Sequence, residues 1–156
     1  MMKLKTAENI LVGLLAFLGV GALFGGGVLI VSPTGSLIGM PLSMLVGSPF
    51  HTFLIPGIVL FLVLGVFPFV LIYSLRREIE SPFAESLNVF KDMQWAWSFS
   101  IYQAFTLIIW IQLEMVFLHA VHWLHTFYMF YAVGILFVAL LPPVRNRYKK
   151  YPETKI

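Results

Sequence analysis

The chain predicts an all-α integral membrane protein: four transmembrane helices in an antiparallel bundle, with both termini cytoplasmic. Three observations carry that prediction. Hydrophobic residues make up 60% of the 156 positions and charged ones only 11%, against about 25% charged in an ordinary soluble domain. The mean hydropathy of +0.91 means more apolar surface than a fold this small can hide from water. Four stretches also reach the roughly 20 apolar residues needed to cross a hydrocarbon core about 30 Å thick.

The elements follow in order within a single membrane domain, residues 1–156. The first span, Ile10–Val31, follows a short basic start at Lys3 and Lys5. Its apolar core is too long for a secretory signal and GVGALFGGG offers no A-x-A cleavage site, so the span is expected to be retained. An uncharged outer segment, 32–52, is broken by Pro33, Pro41 and Pro49 and turned by Gly35, Gly39 and Gly47. Within it MPLSMLVG is too short to cross and is expected as a short helix or re-entrant piece. Ser48-Pro49 has the form of an N-cap followed by proline, launching the second span, Phe53–Leu75. Pro68 should bend that helix or free a backbone carbonyl.

Residues 76–94 form the one substantial cytoplasmic loop. Ile79, Phe83, Leu87 and Phe90 recur there at helical spacing, which predicts an amphipathic surface helix. Trp95 and Trp97 open the third span, about Trp95–Phe117, where an aromatic belt is expected. The fourth span, about Trp123–Leu141, follows with no Gly or Pro between them. From Trp95 to Leu141 is 47 residues, about 70 Å of helix, too long for one crossing. The chain must reverse near residues 118–122. A basic tail, 142–156, ends the chain.

Charge fixes the sides. All ten Lys and Arg lie at the N-terminus, between spans two and three, or at the C-terminus. The positive-inside rule then puts both termini in the cytoplasm, and four crossings require the same by parity. The net charge of +3 reports this topology, and no nucleic-acid module is present.

Candidate functional residues are few. Cysteine is absent, which excludes disulfides, thiolate nucleophiles and Cys-ligated metals. No Walker loop, dinucleotide fingerprint, G-x-S-x-G or H-E-x-x-H occurs. On the third span Gln103, Thr106, Trp110 and Glu114 fall within about a quarter turn of one face, a polar stripe expected to face the bundle interior or a wet cavity. Glu114 is the only acid in a span. His51, His119, His122 and His125 all fall on the predicted outer side. They fit an interfacial belt, a metal or haem site, or a proton or substrate-binding role. No cofactor is expected, with a metal ion or haem on these histidines as the alternative. Gly21 and Gly25, with Ala22 and Gly26, give the first span a small-residue face for close helix packing, within the chain or between copies.

The run SPTGSLIGMPLSMLVGSPFHTFLIPGIVLF, residues 32–61, resembles the first outer loop and second helix of small four-helix bacterial membrane proteins known only as hypothetical. The resemblance implies a bacterial inner membrane and brings no activity with it. The leading functional reading is a non-enzymatic membrane protein, either a self-associating unit or an accessory subunit of a membrane complex. It would contact membrane lipids and either a second copy or a partner subunit. One alternative is binding or transport of a metal, proton or small amphiphile through Glu114, Gln103 and the outer histidines. Another is an enzyme on a lipid-soluble substrate, with Glu114 and His119 or His122 as acid and base.

Overall fold

The computed structural model describes residues 4–150; Lys3 and Lys155, counted above in the basic ends, lie outside it. Four helices are long and apolar enough to cross a membrane: α1 (Leu4–Val31), α2 (Leu54–Arg77), α3 (Trp95–Leu118) and α4 (Trp123–Leu140). They form an all-α bundle, and no strand is present among the described residues. Short connections make sequence neighbours antiparallel. The described Lys and Arg residues thus collect at one end and the histidines at the other.

α1 ends where Pro33 disfavours helical backbone in Ser32. The Ser32 hydroxyl lies 3.0 Å from that of Ser36, and Gly35 turns the chain at a φ of 75°. A 3-10 turn, Leu42–Leu45, is the only helical part of the MPLSMLVG stretch. Ser48 does not launch α2. Its hydroxyl accepts from the Phe50 N–H, a local turn, and the helix starts at Leu54. What sets that start is Phe53, only 2% exposed, whose N–H donates to Pro33 O at 2.8 Å and closes the loop on itself.

α1 and α2 meet along glycines. A Cβ on Gly26 would sit 2.7 Å from Phe61 N and 2.8 Å from Gly57 O; one on Gly57 would sit 2.8 Å from Leu29 Cβ. Gly19 and Gly65 make the next contact, with a Gly19 Cβ 3.0 Å from Gly65 O. Of the four small residues picked from the sequence, Gly26 belongs to this seam and Ala22 is buried beside it. Gly21 faces the Tyr128 hydroxyl on α4, and Gly25 makes ordinary contact with Leu60.

The middle of α2, Leu60–Val66, is π-helical, and the Phe67 N–H reaches back five residues to Leu62 O. In that register Val63 O would look to the nitrogen of Pro68, which has no hydrogen. The orphaned carbonyl is satisfied from outside, by Gln103 Nε2 on α3 at 2.9 Å. A buried carbonyl without a partner is costly in lipid, so proline and glutamine are two halves of one local solution.

The amphipathic helix expected over 79–90 does not form. Only Pro82–Ser86 is helical, capped by the Ser81 side chain accepting from the Ala84 N–H. Asn88, 1% exposed, then organises the loop. Its amide donates to Met93 O (2.8 Å) and Glu85 Oε2 (3.2 Å), and its carbonyl accepts from the Phe90 N–H (3.0 Å). These bonds defeat the apolar periodicity, because a continuous helix would leave the buried amide unpaired. Phe83 and Leu87 remain exposed.

Trp95 and Trp97 are also not belt residues. Both are buried, and Trp97 Nε1 donates to Ala139 O on α4 while Trp95 Nε1 donates to Ile79 O.

A last short helix, Pro142–Arg147, brings the chain back under this loop. The Gln94 N–H donates to Tyr148 O and the Lys150 N–H to Asp92 O. Arg147 pairs with Glu78, and Lys150 with Glu85 at 2.6 Å. At the same end Arg76 joins α2 to Glu8 and Asn9 of α1. Burial would raise the pKa of Glu85, but Lys150, Asn88 and the Trp95 N–H more than reverse this and hold it below the ordinary carboxyl value. A lowered native pKa stabilises above the unfolded value and loses that contribution as pH falls through the native one. The loop should accordingly become more protease-sensitive as pH falls below about 4.5, the ordinary carboxyl value. Glu85→Gln should flatten the acid-side part of that profile; an unchanged profile would contradict the assignment.

Candidate functional site

At the histidine end the bundle is not filled. α3 approaches α2 closely near Phe67–Arg77 and much less over Leu54–Val66. Between the splayed halves lies a cavity of about 340 Å³, within the size range of small-molecule sites. The loop after α1 roofs it with Met40, Leu45, Phe50 and Phe53. At the side, Val59 and Val63 of α2 face Ile109 and Leu113 of α3, and all four are partly exposed. Rim and roof are both apolar, the surface that suits contact with lipid rather than with water.

Only three lining residues carry polar side-chain groups: Thr106, Trp110 and Glu114. They are the stripe expected from helical spacing, less Gln103, whose amide is engaged at Val63 O. The Thr106 hydroxyl donates back to Tyr102 O, a common solution for a hydroxyl on an apolar helix. Trp110 Nε1 donates to Glu114 Oε1 at 2.8 Å, one turn along the same face. Trp110 and Glu114 also line a smaller cavity of about 110 Å³ with Gly21 and Tyr128, so they form a wall shared by two voids.

The histidines separate. α3 ends at Leu118, and His119 takes the left-handed conformation at a φ of 49°. His122 precedes α4, and His51, His119 and His122 are all exposed. His125 alone is buried, 8% exposed, with Nε2 3.8 Å from Glu114 Oε2. The histidine beside Glu114 is therefore His125 rather than His119 or His122. Its Nδ1 accepts the His122 backbone N–H at 3.1 Å. An N–H cannot accept, so Nδ1 carries a lone pair and the proton of the neutral ring sits on Nε2, the nitrogen on the Glu114 side. Spacing along one helix could not reveal this pair, because the turn at 119–122 intervenes. Among the described residues, no three His, Asp or Glu come together as a metal-binding group.

The charged end holds a polar cleft of about 390 Å³ between the 78–95 segment and residues 147–150. Its Arg147 and Lys150 are already paired with Glu78 and Glu85. Glu114 is the acid set in an apolar wall with no Lys or Arg beside it, and its surroundings are the stronger site.

The chain has the shape of a small all-α polytopic membrane protein, and comparison with known proteins finds no matching family model, no similar curated protein and no similar solved structure.

Proposed function

We propose that this is a non-enzymatic membrane protein that takes a small amphiphile from the bilayer into the cavity between α2 and α3. The carrying observation is a laterally open apolar chamber with one acid in its wall. The apolar rim suits an alkyl or ring body, and Glu114 supplies the single polar anchor, the pattern of a ligand pocket rather than of packing. The Lys and Arg cluster supports placing the charged end in the cytoplasm, so that the cavity lies in the outer leaflet of an inner membrane. Self-association loses its sequence argument, because Gly26 packs against α2 and Gly21 against α4.

Trp110 lines the cavity and serves as the reporter. A brominated alkyl probe with a neutral head should quench the protein's tryptophan fluorescence saturably in nanodiscs. The saturable part should vanish in Trp110→Phe. Val59→Phe combined with Leu113→Phe narrows the mouth at lipid-facing positions that tolerate bulk, and should weaken binding about tenfold or more. Linear quenching that is identical in all three proteins would overturn the reading.

A further inference from the structure

The chemistry around Glu114 says which head group the cavity accepts. We propose that the ligand is a cationic amphiphile, a single-chain primary amine whose ammonium pairs with Glu114. This rests on the cavity being a binding site and adds the identity of the head.

Two of the groups beside the carboxyl, Trp110 and His125, carry N–H donors. Trp110 Nε1 can only donate, and it does so to Oε1. His125 carries its ring proton on Nε2, because its Nδ1 is occupied by the His122 N–H, and that nitrogen lies 3.8 Å from Oε2, beyond hydrogen-bond distance. A protonated acid needs an acceptor for its own O–H; Trp110 and His125 provide none, and the Tyr128 hydroxyl on the smaller cavity can serve either way. The pair of donors matches the acceptor-only carboxylate. A carboxylate offers about four acceptor positions, and Trp110 fills one of them. The rest face the two cavities whose wall Glu114 forms.

No Lys or Arg lines either cavity. The described Lys and Arg residues lie at the other end of the bundle, at the start of α1, the end of α2, the loop that follows it and beyond α4. A carboxylate in an apolar wall without a counter-cation is electrostatically incomplete. A ligand ammonium supplies three N–H donors and the missing charge together. An anionic head would meet Glu114 with repulsion, and an alcohol could offer one donor and no charge. The apolar remainder of the lining accepts the chain behind the head.

The test uses the full chain in zwitterionic phosphatidylcholine nanodiscs, with the neutral brominated probe bound. Dodecylammonium, dodecanol and dodecanoate are compared as competitors. Dodecylammonium should displace the probe at a concentration about tenfold below dodecanol, the scale of one charge-assisted hydrogen bond, and dodecanoate should be weakest. Glu114→Gln keeps the side-chain shape and removes the charge, so the ratio of dodecanol to dodecylammonium displacing concentrations, each read against that protein's own probe affinity, should fall to about one. Comparing the two proteins in the same bilayer cancels unequal partitioning of the competitors. Equal displacement by all three, or preference for dodecanoate, overturns the amine assignment and leaves the cavity reading standing. An amine preference unchanged in Glu114→Gln also overturns it. If the probe itself does not bind, both fall.

Discussion

Gly26→Ala should destabilise the bundle by about 2–3 kcal/mol. The added methyl group would lie 2.7 Å from Phe61 N, 2.8 Å from Gly57 O and 2.9 Å from Phe61 Cα. All three are backbone atoms, so no side chain can rotate to make room. The helices must part along the seam and forfeit close packing at Gly19–Gly65 as well. In lipid, where apolar surface gains little by leaving one hydrocarbon environment for another, such packing is the principal attraction between helices. Gly13→Ala is the control. Nothing lies within 4 Å of its added methyl group, and alanine's better helix propensity should leave stability equal or raise it by up to about 1 kcal/mol. Unfolding in mixed micelles, followed by circular dichroism, reads both. Equal midpoints for the two variants would show that the seam does not hold α1 to α2.

Asn88→Ala should cost about 3 kcal/mol, measured as lost protection of the 78–94 loop against protease together with a lower unfolding midpoint. The substitution strands the buried Met93 carbonyl and frees the Phe90 N–H and Glu85. A buried polar group left without its partner costs about 1–3 kcal/mol. Lys91→Ala, which removes exposed donations to Glu85 O and Ser86 O, should change stability by less than about 0.5 kcal/mol. Helix content should survive in both variants, because α1 to α4 do not depend on the loop for their own backbone bonds. A loop as protected in Asn88→Ala as in the parent would refute the role given to this residue.

These two residues show what the chain discloses before it folds and what it withholds. Hydropathy and the 47-residue reach from Trp95 to Leu141 disclose the four helices and the reversal, because lipid imposes length and polarity on any spanning segment. Trp110 and Glu114 were legible as neighbours, since one helix fixes their spacing. Gly57 and Gly65 were not legible as partners of Gly26 and Gly19, because close approach depends on the phase of two helices at once. Asn88 sat unnoticed among residues whose apolar period spelled a helix, and its three bonds outweighed that period. His125 stood equal to three other histidines until the turn at 119–122 brought it back onto Glu114.

The π-helical stretch in α2 has a consequence for how the helix is indexed. Gly57 and Gly65 are eight residues apart, which in a regular helix leaves them about 80° out of line. Both nevertheless face α1. The wider turns over Leu60–Val66 rotate the chain less per residue and take out most of that offset. Gly19 and Gly26, seven apart on α1, are within about 20° of alignment without help. The segment thus works as a phase shifter between the two ends of α2. A regular helix of identical sequence would show α1 only one of its glycines and aim the Val63 carbonyl away from Gln103.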